Sequence, residues 1–150
     1  MNKENNFKEK FKKALISTIK VISDEYRIEN ELIKNLSSKN YNFFELDNLS
    51  SKQDYIKLRA ETDSEALKRK FSNKEIYKKN LPRNSSCKSL YNISERIRYE
   101  LLGTKMLKGI SKNLKENYSH KIAIKRKDQL KTREDVSISE AFELYMLKNF

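Results

Sequence analysis

Few residues of this chain have both the type and the spacing for chemistry. The most suggestive run is Asp135-Val136-Ser137-Ile138-Ser139, a D-x-S-x-S spelling. One carboxylate and two hydroxyls in that order suit a hard, octahedral ion such as magnesium. Such a site needs its run at the end of a buried strand, and the preceding DQLKTRE is too polar to form one. The same residues read as a helix start, with Ser137 as N-cap and Glu140 reaching back. His120 is the sole histidine and Cys87 the sole cysteine, with no His near Cys87 in sequence. No G-x-x-x-x-G-K-[ST] phosphate loop is present, which excludes ATP hydrolysis by that route. Neighbouring carboxylates such as Asp24–Glu25 and Glu29–Glu31 read as solvated. The chain is therefore expected to carry no catalytic, cofactor-binding or metal-binding residues of its own.

A different set of residues is more informative. Both glycines, Gly103 and Gly109, fall within residues 90–114, LYNISERIRYELLGTKMLKGISKNL, which otherwise read as helix. Glycine costs a helix interior about 1 kcal/mol relative to alanine, so close approach of another backbone is the natural reason to place it there. At about 100° per residue, Tyr91, Glu95, Arg98, Leu102, Met106, Gly109 and Asn113 form one stripe. Leu90, Ile93, Ile97 and Leu101 form a second on the far side. Two readings follow. Glu95 and Arg98 tether neighbouring loops while Gly103 and Gly109 admit a crossing helix. Alternatively, Tyr91, Glu95, Arg98, Gly103, Met106, Gly109 and Asn113 form a contact face for another subunit, where Arg and aromatic anchors are favoured. Either way, Gly109→Leu is expected to disrupt packing or assembly.

The elements that must position these residues are mostly helical. Phe7, Phe11, Leu15, Ile19 and Ile22 keep a helix period over residues 5–23. Residues 26–33 and 41–46 read as extended, giving a small two-stranded β element near residues 26–46. Ser50 with Gln53 opens a helix over 51–71, on which Tyr55 or Ile56, Leu58, Leu67 and Phe71 face inward and Arg59 pairs with Asp63 along the surface. Ser72 with Glu75 opens a short helix that Pro82 ends. A long central helix spans 86–118. Its apolar stripe moves from Ile93, Ile97 and Leu101 to Leu107, Ile110, Leu114 and Tyr118, which implies a break or bend near Gly103. Residues 122–124, IAI, read as a short strand. A last helix from 138 presents Ile138, Ala141, Phe142, Tyr145 and Met146. The expected fold is mainly α, about five helices around a long central helix, in one domain over residues 1–150.

Composition narrows the functional classes. The chain holds 150 residues, 37% hydrophobic and 36% charged, with 15 aromatics. That is enough for an ordinary core. No run approaches 18 uncharged apolar residues, so no membrane span is expected. A lone cysteine agrees with a reducing, cytoplasmic setting. The net charge of +12 invites a nucleic-acid reading. Lysine, however, outnumbers arginine 25 to 8, and 15 asparagines face five alanines, the bias of AT-rich coding on solvated faces. The excess concentrates in residues 105–131, where nine Lys or Arg oppose only Glu116 and Asp128. A solvated or acidic-partner face is the simpler explanation, and a basic nucleic-acid-binding module is the rival.

The segment Glu95, Arg98, Glu100, Gly103, Met106, Gly109, Asn113, Leu114 resembles the N-terminal region of the CobT subunit of aerobic cobaltochelatase. In this chain the run reads E-x-x-R-x-E-x-x-G-x-x-M-x-x-G-x-x-x-N-L. A second block, Arg59, Asp63, Ser64, Ala66, Leu67 and then Pro82, agrees in order and spacing, and the likeness extends from about Phe7 to the end of the chain. The resemblance implies a scaffold or docking domain within a hetero-oligomer. Its partners would be an AAA+ ATPase subunit and a large corrin-binding subunit, with no membrane involved and nucleic acid not expected. ATP, Mg and Co would belong to the whole complex, which inserts Co(II) into hydrogenobyrinic acid a,c-diamide, a ligase step in cobalamin (vitamin B12) biosynthesis. The acidic linker and von Willebrand A domain of the family lie beyond the matched region. Where many family members carry histidines this chain has Ser72 and Tyr77, so cobalt handling through those positions is unsupported. An accessory domain of an AAA+/von Willebrand A pair with another client is the alternative within the same resemblance.

Overall fold

Every element among the described residues is a helix. The computed structural model describes residues 3–24, 49, 51–128 and 136–150. The helices are α1 (Lys3–Ser23), α2 (Lys52–Phe71), α3 (Lys74–Asn80), α4 (Ser85–Met106), α5 (Lys108–Asp128) and α6 (Ile138–Lys148). The mainly helical expectation holds. The two-stranded element expected near residues 26–46 lies outside the described residues. Two compact units divide the chain, Met1–Lys70 and Phe71–Phe150.

In the first unit α1 and α2 run side by side in the same direction. Phe7 and Phe11 meet Tyr55 edge-on at 5.7 and 5.1 Å near the start of both helices. At the other end Lys70 Nζ lies 2.6 Å from Asp24 Oδ2. The period read from α1 is the one used, since Leu15, Ile19 and Ile22 are buried. Asp24 ends α1 in the left-handed region, with φ of 59°. Aspartate is one of the few non-glycine residues that tolerates that conformation. The cap of α2 sits one residue later than the spacing of Ser50 and Gln53 suggests. Ser51 N–H and Oγ both donate to Asp54 Oδ2 at 2.8 Å, and Asp54 N–H donates back to Ser51 Oγ at 3.3 Å. A carboxylate at this position draws two donors, which an amide competes with poorly. Leu58 and Leu67 are buried as expected, but so is Asp63 at 1% exposure. Arg59 is exposed, so only one of the two lies at the surface. Buried Thr62 satisfies its hydroxyl on the Leu58 carbonyl at 2.8 Å.

In the second unit α4 packs on α5 and α6, and α5 packs on α6. Asn73, rather than Ser72, caps α3, its Oδ1 accepting from the N–H groups of Glu75 and Ile76 at 2.9 and 3.1 Å. Asn84 caps α4 in the same way through Ser86 and Cys87. The break in the long central segment is real, but it falls at Leu107, four residues past Gly103. Leu107 is extended, with φ −133° and ψ 112°. Its N–H closes α4 on the Gly103 carbonyl at 3.1 Å, and its own carbonyl accepts from Ser111 N–H at 3.2 Å to open α5. One residue thus ends one helix and starts the next. The chain folds back there: the Tyr118 hydroxyl reaches Glu100, 18 residues earlier. In an unbroken helix they would stand about 27 Å apart. Residues 122–124 lie inside α5 and are not a strand. Three apolar residues in a row cannot specify a strand when the flanking period is helical.

Candidate functional site

Helix α4 carries two polar clusters, on opposite sides. The first contains the tethers expected of Glu95 and Arg98. Arg98 forks onto the Glu95 carboxylate, Nε to Oε2 at 2.7 Å and Nη2 to Oε1 at 2.8 Å. The same Nη2 donates to the Phe71 carbonyl at 2.8 Å. The Ser72 hydroxyl donates to Glu95 Oε1 at 2.7 Å, which is why Ser72 is not spent on capping α3. Arg98 holds the Glu95 carboxyl below the usual range, against the opposing effect of burial and with help from Ser72. Beside this, the Tyr77 and Tyr91 rings lie 5.4 Å apart and the Tyr77 hydroxyl donates to Asn92 Oδ1. The arrangement binds the α2–α3 junction and α3 to the first half of α4.

The second cluster was not anticipated from the sequence. Glu143 of α6 accepts from Arg96 Nη2 of α4 at 2.8 Å and from Lys121 Nζ of α5 at 2.5 Å. Burial pushes its carboxyl up, but the bonds from Lys121 and Arg96 prevail and hold it below the ordinary value. Next to it, fully buried Glu100 accepts from the Tyr118 hydroxyl at 2.5 Å. Burial, then the Glu100 charge, pushes the Tyr118 hydroxyl far up, so it stays protonated. The Tyr118 ring also meets Phe150 edge-on at 5.5 Å. Arg96 Nε is buried with no acceptor. A signal for this cluster was present: Arg96 and Glu100, four apart, project onto the same face as buried Ile97. Opposite charges on an apolar face must find partners on the helices that cover it.

The expected stripe is divided between two helices by the corner at Leu107. Tyr91 and Glu95 are half-buried within the first cluster, and Arg98 lies at its exposed edge. Leu102 and Met106, one turn and two turns on, are 38% and 53% exposed. Gly103 is buried, in keeping with close packing, whereas Gly109 is exposed and a Cβ built on it meets nothing within 4 Å. The corner at Leu107 puts Gly109 and half-buried Asn113 on α5, turned away from the line of α4. Gly103 alone has the burial that the packing reason requires, and open space removes that reason for Gly109.

The chemistry that remains is modest. Among the described residues no three His, Cys, Asp or Glu side chains come together to hold a metal ion. Ser137 caps α6, accepting from Glu140 N–H at 3.2 Å, so its hydroxyl serves the helix start. Asp135, the carboxylate of the D-x-S-x-S run, lies outside the described residues. Cys87 and His120 are both exposed. No described helix is long and apolar enough to cross a membrane. What α4 offers is a set of ties between helices and, at its C-terminal end, an open corner.

Comparison with known proteins agrees with the family resemblance read from the sequence. The family model described as cobalamin biosynthesis protein CobT matches residues 5–148. No curated protein and no solved structure matches the chain. A match over nearly the whole length of this helical chain shows that it belongs to the CobT family, as its N-terminal domain.

Proposed function

We propose that this chain is a non-catalytic docking and scaffold domain of a cobaltochelatase subunit. It works beside an AAA+ ATPase subunit and a large corrin-binding subunit in the ATP-dependent insertion of Co(II) into hydrogenobyrinic acid a,c-diamide. Membership of the CobT family places the chain in cobalamin biosynthesis as a cobaltochelatase subunit. The observation that carries the docking role is how α4 uses its charged groups. Glu95, Arg98, Arg96 and Glu143 are engaged in ties between helices, and such ties enforce one arrangement more than they add stability. A second unit braced by such ties, with an exposed corner, suits a scaffold. ATP and magnesium are handled by the ATPase subunit in this reading, and cobalt is the substrate of the assembly.

The test is reconstitution. The purified chain alone should show no ATP hydrolysis and no cobalt insertion, while the ATPase and large subunits together should need the CobT chain for insertion. Hydrolysis or insertion by the isolated chain would defeat the scaffold reading. The +7 excess over residues 105–131 favours one rival, a nucleic-acid-binding module. It calls for affinity falling about tenfold or more between 50 and 200 mM salt. Fluorescence anisotropy showing no binding to duplex DNA or RNA at 50 mM salt removes it.

A further inference from the structure

We infer that the α4–α5 corner is a docking knuckle for a protein surface that is apolar at its centre and acidic at its rim. This rests on the docking role proposed above and names its surface. Around Leu107 four large apolar side chains stand out from the second unit: Leu101 and Leu102 at 38% exposure, Met106 at 53% and Leu107 at 46%. On α4, Leu101, Lys105, Leu102 and Met106 fall within about 140° of arc, opposite the face that buries Glu100 and Gly103. The corner is closed by a single extended residue, so these side chains project from a convex, stiff turn. An apolar group of this size, collected at one place and ringed by polar residues, marks an interaction site.

Charge identifies the partner. From Leu101 to Lys115 the chain has four lysines, 105, 108, 112 and 115, and no Asp or Glu. All four are exposed. Carboxylates on a partner would meet this rim, steering the encounter and fixing register. A second copy of this chain would bring lysines against lysines, so self-association through this face is disfavoured. A nucleic acid would leave the four apolar side chains against phosphates and without cover. Gly109 fits the same picture: it is exposed, and a Cβ built on it meets nothing within 4 Å among the described residues, so its bare backbone at the rim is open to close approach from outside.

The experiment titrates the full chain into the purified AAA+ ATPase subunit and, separately, into the large subunit, by calorimetry at 50 and 300 mM salt. Two corner variants are compared, the charge reversal Lys105→Glu/Lys108→Glu and the apolar variant Leu102→Asp/Met106→Asp. The control is Ile124→Asp, at a 47% exposed position near the other end of α5. Melting curves establish that each variant folds, and the charge reversal, on exposed lysines, keeps the test intact if the apolar variant does not. Each corner variant should weaken binding to one subunit by about tenfold or more, wild-type binding should weaken with salt, and Ile124→Asp should match wild type. Unchanged binding by both corner variants would overturn the knuckle while leaving the docking role standing. Failure of the wild-type chain to bind either subunit would remove both. Wild-type binding to duplex DNA or to phosphatidylserine vesicles that the corner variants lose, with the subunit interaction intact, would overturn the acidic-protein assignment.

Discussion

Replacing Tyr118 with phenylalanine isolates one hydroxyl. The ring keeps its edge-on contact with Phe150, so no cavity larger than an oxygen atom is made. What changes is Glu100, which has 0% exposure and loses a donor at 2.5 Å. A hydrogen bond to a charged, buried acceptor is worth about 1.5–3 kcal/mol, because the group left behind keeps its desolvation penalty. Taking about 2 kcal/mol, a chain of this length should melt about 4–8 °C lower. Urea unfolding followed by circular dichroism should show the midpoint falling with an unchanged slope. A double-mutant cycle with Glu100→Gln should return a coupling of about 1 kcal/mol or more. The reasoning is refuted if Tyr118→Phe stays within about 0.5 kcal/mol of wild type, or if the two substitutions simply add.

Other outcomes follow from the same geometry. The Glu143 carboxyl is depressed in the folded chain, so its stabilisation is fully present above the unfolded value of about 4.3 and is lost as pH falls through the lower folded value. Glu143→Gln should thus be less stable than wild type at pH 7 and show a flatter acid limb, and parallel profiles would contradict the clamp. Gly109→Ala meets open space and should be neutral or stabilising by up to about 1 kcal/mol. Gly103→Leu, at a buried position, should destabilise by about 1–3 kcal/mol, so equal melting temperatures would dismiss the distinction between the two glycines. Ser137→Ala removes the cap of α6 and should cost about 1 kcal/mol, read by chemical denaturation.

Helix positions were legible because 3.6-residue periodicity is local, and so was the need for a break in the central segment, where the apolar stripe changes sides. The place of the break was harder. Glycine marks where a helix is weakest, yet α4 ends at a leucine, since the fold-back is decided by what Tyr118 reaches across space. Caps erred by one residue wherever two candidates stood together: Asn73 displaced Ser72 because Glu95, 23 residues on, captured the serine hydroxyl. The Glu95–Arg98 pairing was readable from its spacing. The Arg96–Glu143–Lys121 clamp was not, as its members lie 47 and 22 residues apart and nothing local announces which helices will be neighbours.

The one-residue joint at Leu107 has a mechanical corollary. Helix α5 holds 21 residues, a lever about 31 Å long, and a 10° change at the joint would swing its tip by about 5 Å. With no spare linker to absorb it, adding or deleting a single residue here would rotate the whole lever by about 100° and carry Tyr118 and Lys121 out of reach of their carboxylates. The spacing between Gly103 and Ile110 should accordingly be the least forgiving length in the chain, tolerant of changed letters and intolerant of changed count.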